Sequence, residues 1–492
     1  MIADHLPILQ VMLPLLAAPL IVLLRHATLA WLLTVAVSWV SFVIALVLFF
    51  AVPDGGAIYY ELGSWPMPWG IGYRIDAASA YVLVLVSLIA SVVAPYARVS
   101  VAAEVARERH YLFYAMLVLC LGGLLGIAAT NDAFNLFVFL EISSLSSYVL
   151  IAIGRNRRAF HASFQYLIMG TIGATFYVIG VGLLYLMTGT LNLADMAERL
   201  GSVQETRPVL SALAFITVGL SLKIALFPLH FWLPNAYACA PSVVSAFLAG
   251  TATKVSVYVL MRFLFSVFGN RLSLDALHLF DALIVLSIAA TVVASLVALY
   301  QTDLKRMLAY SSVAQVGYIS LGIALNNADG LTASVIHLFN HGVTKVALFM
   351  LAGGIMLRLG TTRFDSMAGL ARRMPLTAFG FVVAGLSLIG VPASAGFVTK
   401  WYLVMAALER GQWWLAALVV ATSLISALYV WRFVEMAYLR EPVGEVKRVE
   451  APLAMLIPAW IMVVACTYFG LETSYSLTGA QEAAMALTRG FK

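Results

Sequence analysis

The feature that most constrains this chain is its succession of long apolar runs. Fourteen stretches, from Leu6–Leu24 to Pro452–Gly470, are each long enough to cross a bilayer, which takes roughly 20 residues of α-helix. Lipid offers no partner to a backbone N–H or C=O, so a crossing segment must satisfy its own hydrogen bonds. With 63% hydrophobic and only 11% charged residues, the chain departs far from the balance of a soluble protein. It reads as an all-α polytopic membrane protein of about 14 transmembrane helices.

Loop charge gives the orientation. With the N-terminus outside, the inner loops collect most of the basic residues, including Arg155, Arg157, Arg158, Lys305, Arg306, Arg372 and Arg373. The positive-inside rule then predicts both termini outside. This loop bias accounts for most of the net charge of +6, so no acidic partner such as nucleic acid is called for. The first span opens at Leu6 with no basic run ahead of it, and so does not read as a cleaved signal peptide.

Several chemistries are excluded by pattern. Cys120, Cys239 and Cys466 are scattered, which argues against iron–sulfur, zinc and disulfide frameworks. There is no phosphate-binding Walker loop and no strand–GxGxxG–helix fingerprint. No cofactor or metal is expected. The longest polar connections, around Asp54–Asp76, Arg358–Pro375 and Arg440–Ala451, are too short for a nucleotide-binding domain. Any chemistry must lie within the membrane.

Charge within the spans is the second signal. A charge at the bilayer centre costs on the order of 3 kcal/mol or more, and such residues are rare and usually functional. Glu141 lies about two turns into the fifth span, Lys223 in the seventh and Lys254 near the middle of the eighth. His337, His341 and Lys345 cross the eleventh at i, i+4 and i+8, and Lys400 lies in the twelfth. Lysines near a helix end snorkel to the interface, a reading that fits Lys223 better than Lys345, which lies about fourteen residues from either end of its span. A lone histidine reads as a helix packer, whereas two on one face with a lysine read as a relay. Arg262 and Arg432 lie near span ends and read as interfacial anchors, Arg432 with Glu435 at i+3. Hydroxyls stand beside the charges: Ser144 and Tyr148 on the Glu141 face, Thr251 and Tyr258 around Lys254.

Two spans are interrupted. Pro228 and Pro234 break the seventh and its exit, and Gly390, Pro392 and Gly396 break the twelfth. Lipid cannot satisfy the carbonyl that a helix-interior proline frees, so protein or water must surround the break. Broken helices five spans apart point to a repeat-built transporter. Five is odd, so consecutive five-helix units have opposite topology. The expected organisation is 1–109 for helices 1–3, 110–275 for the first repeat, 276–438 for the second, and 439–492 for helix 14 and a tail. Spacing alone carries this division.

The segments "TNDAFNLFVFLE", "YLMTGTLNLADMA", "LKIALFPLHFWLPNAYACAPSVVSAFLAGTATKVSVYVLMR", "QTDLKRMLAYSSVAQVGY", "HLFNHGVTKVALFMLAGG" and "GVPASAGFVTKW" together resemble the proton-conducting subunit family of Mrp-type cation/proton antiporters, respiratory complex I and related hydrogenases. Within it the chain is most similar to the D-type subunits of the Mrp antiporters. Lys400 stands where one complex I subunit type carries glutamate, and Asn235 where the family commonly has aspartate. The resemblance implies that Glu141 and Lys223 pair at the start of a half-channel, Lys254 is the central relay, His337, His341 and Lys345 continue it, and Lys400 ends it. It also implies hydrophobic partner subunits, with H+ and Na+ as the transported ions. The alternative is a pumping subunit of complex I or a membrane-bound hydrogenase, powered by redox chemistry elsewhere.

Overall fold

The computed structural model describes residues 3–203, 206–269, 278–442 and 447–491. Among them, thirteen helices are long and apolar enough to cross a membrane. The first crossings are α1 (Leu6–Leu24), α2 (Ala27–Ala51), α3 (Ala77–Glu104), α4 (His110–Ala129), α5 (Ala133–Ala152) and α6 (Arg158–Thr188). A short surface helix, α7 (Leu193–Leu200), leads to the seventh crossing, α8 (Arg207–Ile224), which a break separates from α9 (Trp232–Cys239). The eighth crossing is kinked between α10 (Ser242–Gly250) and α11 (Ala252–Met261). Crossings nine to eleven are α12 (Leu279–Leu299), α13 (Leu304–Leu325) and α14 (Ala328–Leu359). The twelfth is built from two shorter helices, α15 (Pro375–Ile389) and α16 (Ala395–Glu409). α17 (Trp413–Val434) and α18 (Leu453–Leu471) complete the predicted fourteen.

Both predicted breaks are present, and their backbone shows why. α8 ends on Ala225 in the left-handed region, and α15 ends on Gly390 at φ +85°. A Cβ on Gly396 would lie 1.8 Å from the Ser387 carbonyl oxygen, so only glycine lets the two halves of the twelfth crossing approach. Pro234 does not interrupt anything. It sits in the first turn of α9, where a missing N–H removes no helical bond.

The repeat has a residue-level trace that the sequence did not reveal. Asp132 caps α5 by accepting from Asn135 N at 2.7 Å, and Asp303 caps α13 by accepting from Arg306 N at 3.0 Å. Around Asp132, Ala133 N donates to Leu191 O and Leu193 N to Asn131 O. Around Asp303, Leu304 N donates to Thr362 O and Phe364 N to Thr302 O. The same bridge thus ties the start of the fifth crossing to the end of the sixth, and the start of the tenth to the end of the eleventh. Alternate crossing puts these bridges on opposite faces, as an inverted pair requires. The boundary expected at residues 275 and 276 lies outside the described residues.

Arg155, Lys305 and Arg363 mark one arginine-rich face of the molecule. On the opposite face the connection after α2 departs from an all-helical reading, because β1 (Ala57–Glu61) and β2 (Gly72–Asp76) form an antiparallel hairpin. The C-terminal tail is also a helix there, α19 (Ser474–Arg489), packed on α3, α14 and the end of the eighth crossing. Its apolar positions are too few for a span, so the sequence alone reads as a tail.

Arg262 is not an interfacial anchor. Only 4% exposed, it meets both Asp76 carboxylate oxygens at 2.7 Å, and Arg74 approaches the same carboxylate at 2.5 Å. Burial alone would raise the Asp76 carboxyl, but Arg262, Arg74 and the Ser79 N–H hold it well below the usual carboxylate range. Arg432 caps α12 by donating to Leu299 O and Gln301 O at 2.6 and 2.7 Å. Its expected partner, Glu435, pairs with Arg440 instead.

Candidate functional site

The predicted residues come from the broken and kinked crossings and from α5 and α14. Lys223 occupies the last turn of α8, just before the break. Its ammonium lies 3.2 Å from Glu141 Oε1 and donates to Ser144 Oγ at 2.7 Å. Lys223 is buried, whereas the Glu141 side chain is 23% exposed on the lateral face. A small void lined by Ser143, Ser144, Ser147, Tyr166, Lys223 and Ser256 leads from this pair toward the eighth crossing.

Lys254 is buried at the kink of that crossing and donates to the Ala249 carbonyl. Ala249 lies just before the kink, on the far side of Thr251. The hydroxyls expected to serve Lys254 are spent elsewhere. Thr251 Oγ1 donates to Phe247 O at 2.7 Å, and Tyr258 OH contacts Ser79 Oγ at 2.9 Å and Arg262 at 3.0 Å.

The stripe on α14 divides. His337 and His341 stack with centroids 5.3 Å apart and ring planes 8° from parallel. None of their four ring nitrogens has a protein hydrogen-bond partner among the described residues. Such buried polar groups call for ordered water. Lys345 turns away to α13, donating to Leu308 O at 2.8 Å and to Ser311 Oγ. Lys400 donates to Ile389 O at 2.6 Å, a carbonyl beside the break, and to Ser423 Oγ at 2.8 Å.

Two connecting residues escaped the sequence reading. The Tyr318 ring lies 4.9 Å under the Lys400 ammonium and 6.3 Å edge-on to His337, and so touches both. Asn340, between the histidines in sequence, donates to Ala395 O at 2.7 Å and to Thr399 Oγ1 at 3.2 Å. Both lie in the segments that carry the family resemblance, but neither is charged, and an uncharged residue does not stand out within a span. Asn235 donates to Gln165 Oε1 at 2.7 Å, so amide pairing occupies this position.

The structure therefore makes direct contacts between Glu141 and Lys223 and between His337 and His341. Lys254, Lys345 and Lys400 each face backbone carbonyls and do not touch one another. Ammonium groups held on carbonyls and hydroxyls, interleaved with imidazoles, can pass protons only through intervening water.

The family described as NADH:quinone oxidoreductase/Mrp antiporter, TM matches residues 130–426. The N-type subunit of NADH-quinone oxidoreductase from Desulforudis audaxviator (strain MP104C) is 42% identical over 95% of this chain and 96% of its own. The D-type subunit of the Na(+)/H(+) antiporter from Alkalihalophilus pseudofirmus is 29% identical, covering 94% of this chain and 93% of its own. A chain in the structure of the Mrp complex from Dietzia sp. DQ12-45-1b superposes with a TM-score of 0.91 at 27% identity, covering 99% and 98% of the two chains. With the matched segment spanning every predicted site residue, the chain belongs to the NADH:quinone oxidoreductase/Mrp antiporter transmembrane family.

Proposed function

We propose that this chain is the proton-translocating subunit of a multisubunit monovalent cation/proton antiporter of the Mrp type, with Na+ as the exchanged cation. Protons pass between Glu141, Lys223, Lys254, His341, His337, Lys345 and Lys400 through water. The observation that carries this reading is an ion pair between buried Lys223 and partly exposed Glu141, followed by further buried ammonium groups and two imidazoles with no protein partner among the described residues. The chain is then a transporter subunit, not an enzyme. The arginine-rich face is cytoplasmic and both termini lie outside a prokaryotic plasma membrane.

Partner subunits are supported by the surface around Glu141. Phe134, Val138, Leu145 and Val149 are exposed along the same face of α5, at the spacing of successive helical turns. A partly exposed carboxylate in an apolar stripe is unfavourable against lipid and calls for protein over it.

The 42% identity to an NADH-quinone oxidoreductase subunit favours a second reading, a pumping subunit powered by redox chemistry in other chains. Purification of the assembled complex separates the two. The antiporter reading expects small hydrophobic partners without iron or flavin, and cation-induced ΔpH in vesicles with sodium compared against potassium. Co-purifying iron–sulfur or flavin proteins, with proton movement dependent on NADH, would give the assignment to the second reading.

A further inference from the structure

Positive loops are expected on one side of a membrane protein, but nothing in that rule gathers them into a concavity. Here cations from three separate connections line one cavity of about 560 Å³ on the arginine-rich face. Arg155 comes from the turn before α6 and Arg158 from its first residue, Lys305 and Arg306 from the first turn of α13, and Arg363 from the segment after α14. The size lies in the range of small-ligand sites, roughly 300–1,000 Å³.

The two carboxylates in the lining are already committed. Glu104 accepts from Ser242 N at 3.1 and 3.0 Å, from Ser242 Oγ at 3.2 Å and from Ser100 Oγ at 2.9 Å. Asp303 accepts from Arg306 N at 3.0 Å and from Thr362 Oγ1 at 2.5 Å. Arg363 pairs with Asp365 at 3.3 Å, but the other lining arginines are not paired in return. The side chains of Arg155, Arg158 and Arg306 are exposed and have no hydrogen-bond or ion-pair partner among the described residues. Lys305 is buried and gives one bond, 2.7 Å to Ala240 O, although an ammonium has three donors.

Guanidinium forks match the oxygens of phosphate in paired hydrogen bonds, and basic pockets between transmembrane helices suit anionic headgroups. We propose that this cavity binds a phosphate-bearing anion, with Arg155, Arg158 and Arg306 at its mouth and Lys305 at its floor. The phosphate is supplied by an anionic lipid headgroup or by a soluble phosphate. The site is independent of the proton path.

The test uses the full chain purified in neutral detergent. Inorganic phosphate is titrated by calorimetry, and short-chain phosphatidylglycerol is followed by native mass spectrometry. Saturable binding of at least one probe is expected, weakened about tenfold or more in Arg158→Gln/Arg306→Gln. Arg372→Gln, an exposed arginine of the same face outside the cavity, should bind as wild type does. Should the double variant fail to fold, Arg155→Gln is titrated with the same direction expected. Phosphatidylglycerol that displaces phosphate identifies a headgroup site, and phosphate binding indifferent to the lipid identifies a soluble ligand. The proposal is overturned if neither probe saturates, if the variants bind as tightly as wild type, or if an acidic peptide binds where phosphate does not.

Discussion

The Lys223 ammonium is shared between the Glu141 carboxylate, at 3.2 Å, and the Ser144 hydroxyl, at 2.7 Å. Glu141→Gln preserves shape and removes the charge that stabilises the ammonium. We expect antiport, normalised to assembled complex, to fall by at least about tenfold, while Glu141→Asp keeps a measurable fraction. In Glu141→Gln/Lys223→Gln the losses should be non-additive, since groups acting as one unit do not sum. Wild-type activity in Glu141→Gln would end the ion-pair mechanism.

Lys345 and the two histidines share a helix face but not an environment. Lys345 is anchored on α13, whereas the imidazoles have no protein partner among the described residues. Lys345→Ala should therefore impair transport more than His337→Ala, because water can stand in for one imidazole but not for a fixed cation. Equal and negligible losses at all three positions would mark the stripe as helix packing.

Tyr318 tests the link between His337 and Lys400. Its ring supports Lys400 at 4.9 Å while its hydroxyl donates to Thr422 Oγ1 at 2.8 Å. Tyr318→Phe keeps the aromatic face and should reduce transport about twofold or less. Tyr318→Leu removes a cation–π contact worth about 0.5–2 kcal/mol and should reduce transport several-fold more than Phe does. If Phe proves as damaging as Leu, the hydroxyl and not the ring carries the effect.

Asp76 joins β2 to the end of the eighth crossing. Removing one member of a buried ion pair costs about 3–5 kcal/mol, so Asp76→Asn should lower the melting temperature in detergent distinctly. The folded carboxyl is held below its ordinary value. Its stabilisation is thus complete above the unfolded pKa of about 4 and is lost as pH falls through the lower folded value. The gap between wild type and Asp76→Asn should stay level from about pH 8 to pH 5 and narrow only below about pH 4. A gap that already closes near neutrality would contradict this linkage.

How legible was the molecule? Apolar length gave the crossings, because lipid admits few solutions. Gly390 and Gly396 exposed the twelfth break because no other residue fits there. The charged relay candidates stood out because charge in a span is conspicuous. The remainder depended on tertiary pairing. Arg262 near a span end looks like an anchor until Asp76, far away in sequence, is brought beneath it. Tyr318 and Asn340 are unremarkable as polar residues and gain meaning only through Lys400, His337 and the start of α16. The helix α19 alternates too little apolar surface to be told from a tail without α3 and α14 to pack on.

The duplicated bridges at Asp132 and Asp303 put the two halves in a common register. Nine residues beyond Asp132 stands Glu141, and nine beyond Asp303 stands Ser312, whose hydroxyl merely donates to Leu308 O at 3.0 Å. Asn192 and Arg363 are the bridge partners of Asp132 and Asp303; twenty-six residues before Asn192 stands Tyr166, and twenty-six before Arg363 stands His337. The scaffold is thus nearly palindromic, while its chemical filling is not. A palindrome has no forward sense: a charge moving through it would meet the same landscape from either end. Any direction along such a path would have to come from the unlike occupants of matching seats, since the helices themselves supply none.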